Sequence, residues 1–124
     1  MREINKKFVK QVDGEANRRW FEDNFFDLMI WEEKNGKIIA FQLSYDKHLN
    51  QHAITWNEEN GYIHNKVDDG ENRDGKYKAS PVMLLDGVFD FKTIAEKFKK
   101  SSKGIETKIS TFVYDKISKY SDKL

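Results

Sequence analysis

Asn35-Gly36 stands between two runs of β-forming residues, 24–31 and 38–46, and no other feature limits the fold as much. An Asn-Gly pair favours a two-residue type I′ turn, in which both residues take φ > 0 and the strands keep their right-handed twist. With Asn35 and Gly36 as the whole loop, Lys34 faces Lys37, and pairing continues as Ile30 with Phe41, Leu28 with Leu43 and Phe26 with Tyr45. All three of those pairs are apolar on both sides. The other face reads Trp31 with Ala40, Met29 with Gln42 and Asp27 with Ser44, a mixed set. A slip of one residue would turn every apolar side chain to the wrong face, so turn chemistry and cross-strand matching select the same register.

The pattern continues as a meander. A third strand is expected at about 51–57, where His52, Ile54 and Trp56 alternate with Ala53 and Thr55. A fourth follows at about 62–67, after the turn Glu58-Glu59-Asn60-Gly61. Its register stays open. A four-residue loop sets Trp56 beside Ile63 and sends His64 to the Thr55 face, whereas a three-residue loop with Gly61 in the left-handed region puts His64 beside Trp56. Residues 68–80 are polar and punctuated by glycine, which predicts a long loop. Val82-Met83-Leu84-Leu85 reads as a short buried strand after Pro81, ending at the turn signal Asp86-Gly87.

Helices follow. Asp90 is a good N-cap, with Phe89 and Ile94 placed as a hydrophobic staple. Phe91, Ile94, Ala95 and Phe98 recur at helical spacing, and Gly104 marks the stop. A second helix over about 105–120 would bury Ile105, Ile109, Phe112, Val113, Ile117 and Tyr120, although its β-branched first half also suits a strand. Near the start, Ile4, Phe8, Val9 and Val12 suggest a strand at 8–12. The expected fold is therefore one α+β domain over 1–124: an antiparallel β-meander of four to six strands with two C-terminal helices packed on one face. The face carrying Phe26, Leu28, Ile30, Phe41, Leu43 and Tyr45 should meet Phe91, Ile94, Phe98, Ile109 and Phe112.

Composition narrows the function classes. Nine Phe, five Tyr and three Trp in 124 residues supply an aromatic core for a single domain, although 35% of the residues are charged. The absence of cysteine removes disulfides, thiolate metal sites, Fe–S clusters and thiol nucleophiles together. The first ten residues have no apolar stretch fit for a signal peptide, and no run approaches the ~18 apolar residues of a membrane helix. A cytoplasmic location and no membrane partner are expected. Net charge is +1, but residues 13–90 carry sixteen acidic and nine basic side chains, while the two ends are basic. Lysines dressing solvated helix faces account for the basic end.

Metal and phosphate chemistry find little support. His48 and His52 are four apart in a segment between strands, and four strand residues span about 13 Å, beyond the reach of one ion. His64 is expected about three rungs from His52, and Asp46, Asp68 and Asp69 would complete a site only if the loop folded back. The loop at 68–75 fails as a calcium loop in both alignments of its glycines, since Pro81 or Val67 then falls on a ligand position. No G-x-x-x-x-G-K, G-x-G-x-x-G or G-x-S-x-G occurs. No cofactor and no metal are expected. Paired-carboxylate hydrolysis stays open, because 21 acidic residues offer many pairs. Arg18-Arg19-Trp20-Phe21 mixes guanidiniums with aromatics as single-strand binders do, but Glu22, Asp23 and Asp27 follow at once, so nucleic acid is not the expected partner.

The mixed face of the hairpin holds the candidate site. Asp27 lies between Phe25 and Met29, opposite Ser44, with Gln42 and Trp31 on the same face. Covered by helices, Asp27 would need a partner such as Arg18 or Arg19, pinning the N-terminal segment to the sheet. Left open, Asp27, Trp31, Gln42 and Ser44 would line a small-ligand pocket, with Trp56 and His64 as further contacts. The set Arg18-Arg19-Trp20-Phe21, Asp27-Leu28, Trp31, Gly36, Phe41-Gln42-Leu43, Tyr45-Asp46, Thr55-Trp56, His64 and Val67-Asp68 resembles a small family of uncharacterised bacterial proteins, over about residues 17–120. That resemblance implies a shared meander-then-helices fold, and neither an activity nor a functional residue. Two functions are expected in competition. The first is a non-catalytic cytoplasmic binding or protein-interaction domain, monomeric or weakly dimeric, whose partner is a protein or a small molecule. The second is a small enzyme or ligand binder with its pocket around Asp27, Ser44 and His64, using His64 or His52 with Asp27, Asp46 or Asp68 as acid and base.

Overall fold

The predicted hairpin forms, with one extra residue in its loop and one bulge beside it. In the computed structural model, which describes residues 1–68, 82–85 and 90–120 (the backbone alone at 68 and 82–85), seven strands run as one antiparallel meander in chain order. They are β1 (Arg2–Glu3), β2 (Asn17–Glu22), β3 (Phe26–Glu32), β4 (Ile38–Tyr45), β5 (His52–Asn57), β6 (Gly61–Asp68) and β7 (Val82–Leu85). Two helices follow, α1 (Phe91–Ser101) and α2 (Thr107–Ser118), joined through a 3-10 turn at Ser102–Gly104. The architecture is α+β. The strand beyond the expected six is the two-residue β1 at the sheet edge.

The β3–β4 turn corrects the type I′ expectation. Its loop is 34–36: Glu33 N donates to Lys37 O at 2.9 Å, and Gly36 N donates to Glu33 O at 2.8 Å. Gly36 has φ +88°, while Asn35 keeps a negative φ and accepts from Lys37 N through its side chain at 2.9 Å. β4 then skips Ile39, pairing Trp31 with Ala40 but Glu32 with Ile38. This bulge takes up the extra residue, so Ile30–Phe41, Leu28–Leu43 and Phe26–Tyr45 pair as expected. Burial of one face fixes the register, and the loop adapts to it. The β5–β6 turn is built alike. Its loop is 58–60, Gly61 has φ +76°, and Asn57 Oδ1 accepts from Glu59 N and Asn60 N. The loop has three residues and a left-handed Gly61, but neither expected pairing occurs: Trp56 pairs with Tyr62, and His64 stands opposite Ile54, on the Trp56 face but two residues along.

The N-terminal expectation needs a second correction. No strand forms at 8–12; Lys6–Phe8 is a 3-10 turn, and the strand lies later, at β2, in the Arg18-Arg19-Trp20-Phe21 segment. Phe21 drives this, being fully buried opposite Leu28. The outer edge of β2 is closed by other means. Ile4 N donates to Trp20 O at 2.8 Å, and the Gln11 carboxamide bonds both Arg18 N and Arg18 O at 2.9 Å, standing in for a peptide group of a neighbouring strand. Gln11→Ala removes both bonds and opens the edge, so it should lower stability by about 1–2 kcal/mol. An unchanged urea midpoint would show that the side chain does not hold the edge.

Both helices pack on the face of Phe26, Leu28, Ile30, Phe41 and Leu43, as expected. Asp90 caps α1 by accepting from Thr93 N at 3.3 Å, and α1 buries Ile94, Ala95 and Phe98. The proposed staple residue Phe89, the 69–81 part of the loop and the Asp86-Gly87 turn lie outside the described residues. α2 is helical through its β-branched half and buries Ile109, Val113 and Ile117. A strand there would have put Thr107 and Thr111 beside Ile109, and both are exposed instead. Phe98 meets Phe26 edge-on at 5.9 Å, and Phe112 meets Phe41 and Trp56 at 6.5 and 5.3 Å. Tyr62 Oη donates to Lys116 O at 2.7 Å, tying β6 to the end of α2.

Candidate functional site

Strand alternation divides the expected site residues between two faces. Asp27, Trp31, Gln42 and Ser44 share the face away from the helices, in the pairs Asp27–Ser44, Met29–Gln42 and Trp31–Ala40. β5 extends these rows with Ala53, Thr55 and Asn57, and β6 adds Asn65 and Ile63. β2 contributes Trp20 and Arg18 opposite Met29 and Trp31. Trp56 and His64 stand on the helix face instead. A single pocket around Asp27, Ser44 and His64 therefore does not form, because the sheet lies between them.

On the outer face, Ser44, Ala53 and Asn65 make a buried strip of small and polar residues across three strands. Trp20, Met29, Trp31, Gln42 and Thr55 are half-buried around it, and Ile63 is exposed. Among the described residues, three buried side-chain atoms lack a hydrogen-bond partner in the protein: Arg18 Nε, Thr55 Oγ1 and Asn65 Oδ1. All three belong to this face. An unmet buried polar atom costs about 1–3 kcal/mol.

Asp27 is paired, though with neither expected arginine. Lys47 Nζ lies 3.2 Å from Asp27 Oδ1 and also donates to Asp23 O at 2.8 Å, clamping the start of β3 to the chain after β4. Arg18 pairs with Glu15 at 3.3 Å. Arg19 points to the helix face, where Glu3 holds it by two bonds of 2.9 Å and Glu106 by one of 3.1 Å. The expected pairing of Asp27 with an arginine therefore does not form; Arg19 ties the N-terminal segment to the sheet through Glu3 instead. The guanidiniums and aromatics of 18–21 alternate between faces and do not form one stacking platform.

The helix face carries a ring cluster that sequence spacing did not reveal. His52 and His64 are diagonal neighbours across β5–β6, closer than the three rungs expected, with centroids 5.4 Å apart and planes 11° from parallel. Tyr45 stacks on both, and its Oη lies 2.7 Å from His64 Nε2. His52 Nδ1 donates to Asn50 O at 2.7 Å. Asp27 is on the other side of the sheet. Among the described residues, no group of three or more His, Asp or Glu is arranged to hold a metal ion, and no helix is long and apolar enough to cross a membrane. The chain matches no family model, and comparisons with the curated proteins and with the solved structures give no match either.

Proposed function

We propose that this chain is a non-catalytic cytoplasmic binding domain that contacts a partner protein through the helix-free face of its sheet. The observation that carries this reading is the contrast among its three tryptophans. Trp56, under the helices, has Lys116 Nζ 4.5 Å from its ring centroid and Phe112 at its edge. Trp20 and Trp31, on the outer face, have no ring or cation partner among the described residues. Tryptophan is the side chain most enriched at the energetic centres of protein interfaces, because one residue supplies a large rigid apolar area and a hydrogen-bond donor.

A photo-crosslinking residue placed at Gln42, in the middle of the outer face, should give a discrete adduct in the cells that make the protein. The same residue placed at Lys100, exposed on α1, should give none. Trp31→Ala should abolish the Gln42 adduct. Adducts from position 100 alone, or none from position 42, would remove this proposal.

A further inference from the structure

We propose that the region around Trp31 is a docking site for a lysine or arginine side chain on an extended segment of the partner protein. This rests on the helix-free face being the contact surface, and adds to it the chemistry of what is bound. Trp31 lines a hollow of about 590 Å³ together with Ala40 and Thr55, and its rim carries Glu33, Glu58 and Glu59. Among the described residues, no cationic side chain lines that hollow. A second hollow of about 730 Å³ shares Glu33 and Ile39 with the first and continues along the hairpin end to Asp13 and Glu15, with Lys34 the one cation among its described lining residues. The two together make a trough suited to an extended chain rather than to a compact small molecule.

Charge completes the case. Lys37 neutralises Glu58 at 2.7 Å, while Glu33, Glu59 and Asp13 form no ion pair among the described residues. Elsewhere this molecule places ammonium groups on its aromatic rings: Lys97 lies 4.5 Å from the Phe25 centroid, and Lys116 the same distance from that of Trp56. Trp31 has carboxylates at its rim and no ammonium over its ring. An incoming cation gains both the quadrupole of the indole face and the field of the free carboxylates. The methylene stem of a lysine or arginine would cover Ala40. Glu33 and Glu59 are exposed, so their charge can be removed without disturbing the core.

The test is a titration of the isotope-labelled full chain with a heptalysine peptide, and with heptaglutamate as the opposite-charge control. Heptalysine should shift the Trp31 indole N–H and the amides of Glu33 and Glu59 saturably, and heptaglutamate should not. Glu33→Gln with Glu59→Gln should weaken heptalysine binding about tenfold, as should Trp31→Leu, while Thr111→Ala, exposed on α2, should leave it unchanged. Raising the salt from 50 to 300 mM should weaken it further. Heptalysine shifts confined to the helices, or affinity that survives both Trp31→Leu and the double variant, would overturn the proposal. So would self-association that disappears in the double variant, because the occupant would then be a second copy. If heptalysine fails while the Gln42 adduct persists, the cation site falls and the contact face stands; if both fail, both readings fall.

Discussion

Phe98→Ala is expected to lower the stability of the folded chain by about 3–5 kcal/mol, the range for truncating a buried aromatic. Phe98 is fully buried, projects from the middle of α1 and packs edge-on against Phe26 at 5.9 Å and 84°. An 11-residue helix is marginal on its own in water, so α1 is held by the stripe of Ile94, Ala95 and Phe98 that it presses on the sheet. Removing its largest side chain leaves a void that the rigid sheet cannot collapse to fill. A domain of this size has about 5–15 kcal/mol in total, so the loss removes a large fraction of it. Urea unfolding followed by tryptophan fluorescence measures the loss. Phe98→Leu, which keeps most of the volume, should lose only a fraction of it. A loss under about 1 kcal/mol for Phe98→Ala would mean that α1 is not held by this contact.

The fold was legible where two physical demands agreed. In β3 and β4 the apolar pairs Ile30–Phe41, Leu28–Leu43 and Phe26–Tyr45 specify one register, and the structure keeps it even though the turn differs from the expected type. The turn was misread because Asn-Gly satisfies either a two-residue loop or a three-residue loop with glycine at the left-handed position. Only the bulge at Ile39 separates the two, and a bulge leaves no local composition signal. β2 was missed for another reason. Arg18-Arg19-Trp20-Phe21 has its charges next to its aromatics, which hides a strand whose alternation becomes plain once Phe21 is known to face the core and Trp20 the other side. The apolar residues near 8–12 do not form the edge, because a single side chain, Gln11, closes it.

The candidate site was half legible. Alternation alone placed Asp27, Trp31, Gln42 and Ser44 on one face, and they share it. The face of His64 depended on the β5–β6 register, which the sequence left open, and its pairing with Ile54 sends it to the helix side, where Trp56 already stands opposite Phe41 of β4. The partner of Asp27 was sought among nearby arginines. Lys47, twenty positions away, takes it because the β4–β5 connection folds back over the start of β3. The free carboxylates beside Trp31 had no sequence signature, since Glu33 and Glu59 come from two different turns that only the meander brings to one end of the sheet.

Arg19→Met should be the second most damaging of these substitutions, at about 2–4 kcal/mol near neutral pH. The guanidinium is only 12% exposed and joins four elements at once: Glu3 of β1 by two bonds of 2.9 Å, Glu32 of β3 at 3.7 Å and Glu106 before α2 at 3.1 Å, all from its own place on β2. Partial exposure of Glu3 and Glu106 keeps the loss below that of a fully buried pair. Methionine matches the apolar stem but leaves three carboxylates facing one another. Lysine restores the charge without the fork that grips both oxygens of Glu3, so Arg19→Lys should recover less than half of the loss. The pH dependence separates charge from packing. Hydrogen bonding from Arg19 holds the Glu3 carboxyl below its ordinary value of 4.5, against the opposing effect of burial. A carboxylate with a depressed folded pKa stabilises the protein fully above the unfolded value, and loses that contribution as pH falls through the folded one. The gap in stability between wild type and Arg19→Met should therefore be widest above about pH 5.5 and close as the pH falls below 4.5 toward 3, because protonation removes both the ion pair and the repulsion that replaces it. A gap of equal size at pH 7 and pH 3.5 would assign the role of Arg19 to the packing of its stem against Phe21, 5.4 Å from the guanidinium carbon to the ring centroid, and not to its charge.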